Sequence, residues 1–330
     1  MNPYIMTILL FGLGLGTTIT FASSHWLLAW MGLEINTLAI IPLMAQQHHP
    51  RAIEATTKYF LTQATAAATL LFASVTNAWL TGQWDIQQMV HPLPLTMITL
   101  AVALKIGLAP LHTWLPEVLQ GLDLTTGLIL STWQKIAPFI LLLQIAKTDQ
   151  TMLVGLALTS TLVGGWGGLT NMLIIQFAPS LTLLALILYF VMTFSAFLTF
   201  KINNATSINM LAASWAKAPV ITTTAPMILL SLGGLPPLTG FMPKWLILQE
   251  MTKQDLASTA TIAALTALIS LYFYLRLSYA MTLTMSPNNL TGTTPWRLTS
   301  KQLSLPLSTS IMMTATLLPL TPAVTSLLTL

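Results

Sequence analysis

The chain has 330 residues, of which 55% are hydrophobic and only 6% charged, with a net charge of +4. A water-soluble domain carries about 25% charged residues, so a water-facing surface cannot be covered here and the solvent is lipid. Cysteine is absent, which excludes disulfides, iron–sulfur clusters and thiolate zinc sites within the chain.

The N-terminus, MNPYIMTILL, has neither a basic region nor a small-residue cleavage site and reads as a first mature span, not a signal peptide. A span needs about twenty mostly apolar residues. Roughly ten or eleven apolar helices are expected, over 3–21, 25–46, 57–81, 93–115, 124–146, 151–169, 179–200, 220–249, 257–281 and 308–330. A short apolar piece, MLIIQFA, is left over between 170 and 178. In the first span Gly12, Gly14 and Gly16 lack the spacing of a dinucleotide fingerprint and lie in an apolar run, which is a helix-packing pattern. No phosphate-cradling loop occurs, so any electron carrier belongs to a partner. Trp26, Trp79, Trp84 and Trp114 fall near predicted span ends, where interfacial rings belong. Abundant Met and Thr without Cys point to a mitochondrially encoded chain.

The loop charges test the span count. With three spans in 151–200, one side receives Arg51, Lys58, Lys201, Lys217, Arg297 and Lys301, and the other Lys147 and Lys253. With two spans there, the later loops change sides and the asymmetry nearly vanishes. The positive-inside rule prefers the first arrangement. Fifty residues are too few for three full spans with turns, so part of a span is missing near Thr170–Met172 or a half-helix sits there.

Two segments repeat each other. Gly107 to Pro116 reads GLAPLHTWLP and Gly234 to Pro243 reads GLPPLTGFMP. Proline inside a helix removes a backbone hydrogen bond, and in a membrane the freed carbonyls need another partner. Paired broken spans in two halves of a chain point to a transport site, with a pair of plain packing kinks as the alternative.

The buried charges gather around these breaks. Glu34 lies mid-span in HWLLAWMGLEINTLAIIPLM, and Lys105 stands just before the first break. Lys135 is mid-span in LILSTWQKIAPFILLL, and Lys244 directly follows the second break. Each costs about 2.5–3.5 kcal/mol at a helix centre, together on the order of 10 kcal/mol. One glutamate cannot pair with three lysines, and an amine that can exchange its proton is a relay group. Lys244 is the one best placed to snorkel to the interface. His112, in the first break, either passes protons between lysines or caps the broken helix. Glu117 and Asp123 are expected to face water; of Trp133 and Gln134 beside Lys135, Trp133 is expected to pack and Gln134 is open to a packing or a functional reading.

The stretches MGLEINTLAIIP, ALKIGLAPLHTWLPEV, STWQKIAPF and SLGGLPPLTGFMPKW resemble the NADH dehydrogenase subunit 2 family of mitochondrial respiratory complex I, of vertebrate type, over nearly the whole chain. The resemblance implies an all-α antiporter-like membrane fold of two inverted five-helix repeats, each with a broken helix. The first repeat would occupy 1–146, the second 151–281, and a C-terminal span 308–330. It implies a proton-conducting membrane-arm subunit of the inner mitochondrial membrane, with the N-terminus and basic loops on the matrix side. No cofactor is expected in this chain; flavin, iron–sulfur clusters and ubiquinone would belong to partner subunits. Partners would be the other membrane-arm subunits, neighbouring antiporter-like ones included, and the lipid bilayer, with no nucleic acid. By the same resemblance Glu34 and Lys105 match an ion pair, Lys135 a central lysine, Lys244 the lysine of the second broken helix, and His112 a histidine linking the lysines. One departure stands out. Leu169-Thr170-Asn171 runs straight into Met172, where the family continues with a polar stretch and half a helix, so about one half-span is absent. A free-standing cation/proton antiporter shares this fold and charge pattern, and a structural scaffold whose lysines dock lipid or helices is the third reading.

Overall fold

The computed structural model describes residues 2–46, 48–89, 91–145, 150–164, 179–216, 219–283, 304–323 and 326. Among them there is no β-strand, only an isolated antiparallel bridge between His25 and Asp85. Among the described residues six helical stretches, counting Leu124–Ile145 with its interruption as one, are long and apolar enough to cross a membrane, and with the apolar surface they make this a multi-pass membrane protein. The described residues fall into two compact units, one up to Thr159 and one from Ser160 onward.

In the first unit, α1 (Pro3–Ala22) opens with proline in its first turn and Asn2 capping the Tyr4 amide at 3.2 Å. The next helix, α2 (Trp26–Met44), is capped by His25 Nδ1, which accepts from the Leu27 amide at 3.2 Å. The two helices pack closely because glycine meets glycine: a Cβ on Gly16 would lie 2.8 Å from the Gly32 carbonyl oxygen, and one on Gly32 2.9 Å from that of Gly16. The packing reading of the glycine run therefore holds for Gly16, whereas a Cβ on Gly14 would meet nothing within 4 Å.

Next, α3 (Pro50–Thr81) starts seven residues before the expected span, because His49 and Pro50 form a capped start and Ala52 to Lys58 continue it as helix. The following α4 (Pro92–Ile106) and α5 (Trp114–Gly121) are the two halves of the first broken span. The expected continuous helix over 124–146 is instead α6 (Leu124–Ser131) and α7 (Trp133–Ile145), interrupted at Thr132, whose hydroxyl returns to the Leu128 carbonyl at 2.7 Å. Pro138 cannot donate to the Gln134 carbonyl, so α7 also lacks one ladder bond just after the interruption. α8 (Gln150–Gly164) follows.

The second unit contains α9 (Pro179–Ile202), α10 (Ile208–Ala213), α11 (Pro219–Gly233), α12 (Phe241–Lys253), α13 (Ala257–Leu283) and α14 (Ser304–Thr316). The expected helix over 220–249 breaks after Gly233, and the C-terminal helix begins at Ser304 and ends at Thr316, before a 3-10 turn at Leu318–Leu320 that contains Pro319. Helix α11 packs on α9, α13 and α14. Its buried Ala225 and Leu229 meet Met281 of α13.

Outward faces are apolar, as with Phe11, Leu61, Leu268 and Phe273. Threonine hydroxyls close on carbonyls three or four residues back, as Thr17 does on Gly14 and Thr199 on Ala196, so they need no water. The interfacial reading fails for two tryptophans. Trp26 is fully buried and Trp114 nearly so, whereas Trp79 is exposed and Trp84 stacks on His25 at 5.4 Å. The junction at Asn171–Met172 and the loop cations Lys147, Lys217, Arg297 and Lys301 lie outside the described residues.

Candidate functional site

The two broken spans are built on the same turn. At the first, Gly107 takes a left-handed φ of +79°, and the amides of Gly107 and Leu108 return to the Ala103 carbonyl, each at 3.0 Å. At the second, Gly234 takes φ of +80°, and the amides of Gly234 and Leu235 return to the Leu230 carbonyl at 3.1 and 3.3 Å. Glycine is required because any other side chain is strained at that φ. The repeat seen in the sequence is thus a repeat of helix-ending geometry.

What serves the remaining carbonyls differs. In the first break the indole of Trp114 donates to the Leu104 carbonyl at 3.2 Å. In the second the Lys244 ammonium donates to the Gly233 carbonyl at 2.7 Å and reaches the Ser270 hydroxyl at 3.5 Å. Lys244 is therefore anchored at the break and does not snorkel away. A Cβ on residue 234 would sit 2.9 Å from its Cδ, so the lysine also needs glycine there.

In the first unit Lys105 is 6% exposed and Lys135 8% exposed. Both line one small cavity of about 20 Å³, together with Asn36, Tyr59, Gln63 and Gln134. Lys105 ends α4, Lys135 opens α7, and those two helices pack together, so the helix interruptions on either side bring the two amines to one place. Lys105 Nζ has no hydrogen-bond partner among the described residues.

Glu34 is half-buried on α2 and does not line this cavity. Its carboxylate accepts from the Thr37 hydroxyl at 3.2 Å and makes no ion pair with Lys105 among the described residues. His112 is half-buried in the first break, its Nδ1 is buried with no hydrogen-bond partner among the described residues, and it does not line the cavity.

Glu117 is exposed as expected, but it is not simply solvated: Lys58 bridges Glu117 and Glu54, each at 2.8 Å, tying α5 to the start of α3. Trp133 is 43% exposed, with its indole donating to the Leu13 carbonyl at 3.4 Å, so it is not a packed side chain as expected. The residues missed from sequence are Asn36 and Gln63, and Gln134, left open beside Lys135, joins them in the cavity wall. Amides carry no charge and so drop out of a count of buried charges, although a polar amide inside an apolar span is a signal of the same kind.

Comparison with known proteins places this geometry. The family model described as NADH:quinone oxidoreductase/Mrp antiporter, TM matches residues 23–174 and again 169–270, and the model of the NADH dehydrogenase subunit 2 C-terminus matches 271–325. NADH-ubiquinone oxidoreductase chain 2 of Tetraodon nigroviridis is 68% identical over 99% of both chains. That of Oncorhynchus mykiss is 66% identical over 100% of both. Among solved structures, a chain of respiratory complex I from Thermus thermophilus with bound aureothin has a TM-score of 0.78 at 25% identity, covering 97% of this chain and 80% of that one. A chain of the archaeal membrane-bound sulfane sulfur reductase has a TM-score of 0.79 at 15% identity, covering 97% and 74%, which is a likeness of fold alone. The alignment with the Oncorhynchus relative runs to 349 positions against 330 residues here, an excess that approaches the roughly 20 residues of a whole span and exceeds the expected half-span. The two matches of the antiporter model meet at 169–174, around the junction that the sequence reading singles out.

Proposed function

We propose, for a chain that belongs to the NADH-ubiquinone oxidoreductase chain 2 family, that it translocates protons as a membrane-arm subunit of respiratory complex I. The single observation that carries the reading is the convergence of two buried lysines, Lys105 and Lys135, on one small polar cavity beside a broken helix. A packing function has no use for two cations at that depth, where each costs about 2.5–3.5 kcal/mol. The chain is a subunit of a translocase with its redox chemistry elsewhere. Flavin, iron–sulfur clusters and ubiquinone belong to partner subunits, in the inner mitochondrial membrane with the basic loops toward the matrix. The repeats are 1–146 and 151–281, followed by a C-terminal span within 308–330.

Glu34 is the control element. A carboxylate brought to 4 Å from an ammonium at an effective dielectric of about 20 holds it by roughly 4 kcal/mol, and a receding one lets the proton go. Glu34 accepts from Thr37 and makes no ion pair with Lys105 among the described residues, so the control step is a motion of Glu34 or of α2 that changes its distance from Lys105. The proton passes from Lys105 to Lys135. Lys244 is a second proton-holding site at the other break, and His112 a link at the first. Release is toward the intermembrane space.

The test is Lys135→Met and Glu34→Gln in the assembled complex. Both are expected to lower proton pumping and coupled quinone reduction together, by about tenfold or more, with assembly intact. Full pumping by either assembled variant overturns the reading.

A further inference from the structure

The cavity shared by Lys105 and Lys135 is also lined by amides that packing does not explain. Asn36 on α2 is 2% exposed and Gln63 on α3 is 4% exposed. The Asn36 Oδ1 and Nδ2, the Gln63 Nε2 and the Lys105 Nζ have no hydrogen-bond partner among the described residues. Leucine and methionine have similar volumes and would fill the same space without leaving polar atoms unpaired in a membrane. The cavity volume is about 20 Å³, and a buried water needs about 10–15 Å³ and two to four polar partners. Size and lining both fit one water. The wall is also held in place. Gln134 Nε2 donates to the Asn36 main-chain carbonyl at 3.1 Å, and Gly16 of α1 backs the Asn36 amide so closely that a Cβ there would lie 2.6 Å from Oδ1.

We propose that Asn36 and Gln63 are positioning residues that hold a water between Lys105 and Lys135 and so set the geometry of the proton hand-over; this rests on the relay reading above. An amide is not itself the carrier. Its oxygen accepts and its NH2 donates, which orients a water that has an amine on each side. In the step, an N–H bond of the Lys105 ammonium breaks as an O–H bond forms on the water. A different O–H bond of that water breaks as an N–H bond forms on the neutral Lys135 amine. The water is regenerated, one proton has moved, and no oxidant or reductant is needed.

The test is a pair of substitutions in the assembled complex, Gln63→Met and Gln63→Ala, read by proton pumping and coupled quinone reduction. Methionine keeps the volume and removes the hydrogen bonds; alanine opens space in which further water can stand in for the amide. Gln63→Met is expected to pump about tenfold less or worse, and Gln63→Ala to be clearly less impaired than Gln63→Met. A structural role gives the opposite order, because alanine leaves a hole and methionine does not, and that order overturns the proposal. Should Gln63→Met not assemble, Asn36→Leu against Asn36→Ala reads the same order at the second position. If Lys105→Met and Lys135→Met pump fully, the relay reading itself fails. If they are impaired while Gln63→Met and Asn36→Leu pump fully, only the role of the amides fails.

Discussion

Glu117 and Lys244 stand at the same place in the two repeated segments, directly after the final proline, and carry opposite charges. Lys244 turns back to the carbonyl that ends α11, whereas Glu117 turns out to Lys58. The first break can spare that position because the Trp114 indole already serves the Leu104 carbonyl. The consequence is a division of labour between lysines. Lys244 closes a backbone group, whereas Lys105 closes none among the described residues. Removing Lys244 leaves a carbonyl unpaired where water is scarce, which costs roughly 1–3 kcal/mol. Lys244→Met is therefore expected to lower the melting temperature of the assembled complex, and Lys105→Met to leave it unchanged or higher, since it removes a buried amine that has no hydrogen-bond partner among the described residues. Differential scanning fluorimetry of the two variants side by side checks this, and equal destabilisation would contradict it.

At the scale of helices, the elements that sequence reasoning located well are those whose signals are local. Asn2 and Pro3 at the start of α1, and about twenty apolar residues in each of α1 and α2, place these helices almost to the residue. The broken spans were legible because GLAPLHTWLP and GLPPLTGFMP say twice that a helix stops. The interruption at Thr132 was not legible, because threonine is tolerated in membrane helices and Pro138 draws the eye downstream. In the candidate site, Lys105, Lys135 and Lys244 stand out from their apolar neighbours, but the amides that share the cavity, and the missing Glu34–Lys105 contact, depend on which faces of α2, α3, α4 and α7 meet. That is a property of packing and not of any one segment. The crossing of α1 and α2 is the most demanding of these contacts. Gly16→Ala and Gly32→Ala each force a Cβ into a backbone oxygen at under 3 Å and are expected to cost roughly 1–3 kcal/mol, whereas Gly14→Ala meets nothing within 4 Å. The yield of assembled complex on native gels should rank Gly14→Ala with the parent and the other two below it.

For the molecule as a whole, the sidedness of its loops decides how many times the chain crosses the membrane. Helix α3 has 32 residues and is about 48 Å long, more than the roughly 30 Å of hydrocarbon, so its first turns project. These turns carry Arg51, Glu54 and Lys58, which places the turn before α3 on the basic side. From that turn to the loop after α9 the sequence shows five full spans, over 57–81, 93–115, 124–146, 151–169 and 179–200. Five crossings would put Thr206 opposite Gln46; a sixth, partial or whole, would put the two on the same side. The charge distribution favours the same side, because only then do Lys201 and Lys217 join Arg51 and Lys58. Absence of cysteine makes the question direct, since any introduced thiol is the only one in the chain. Gln46, Gln83 and Thr206 are all exposed and suit replacement by cysteine. With a membrane-impermeant maleimide on sealed vesicles of one orientation, Gln46→Cys and Thr206→Cys are expected to react from the same side and Gln83→Cys, one crossing away, from the other. Labelling of Thr206→Cys together with Gln83→Cys would mean five crossings and a chain whose later half defies the charge rule.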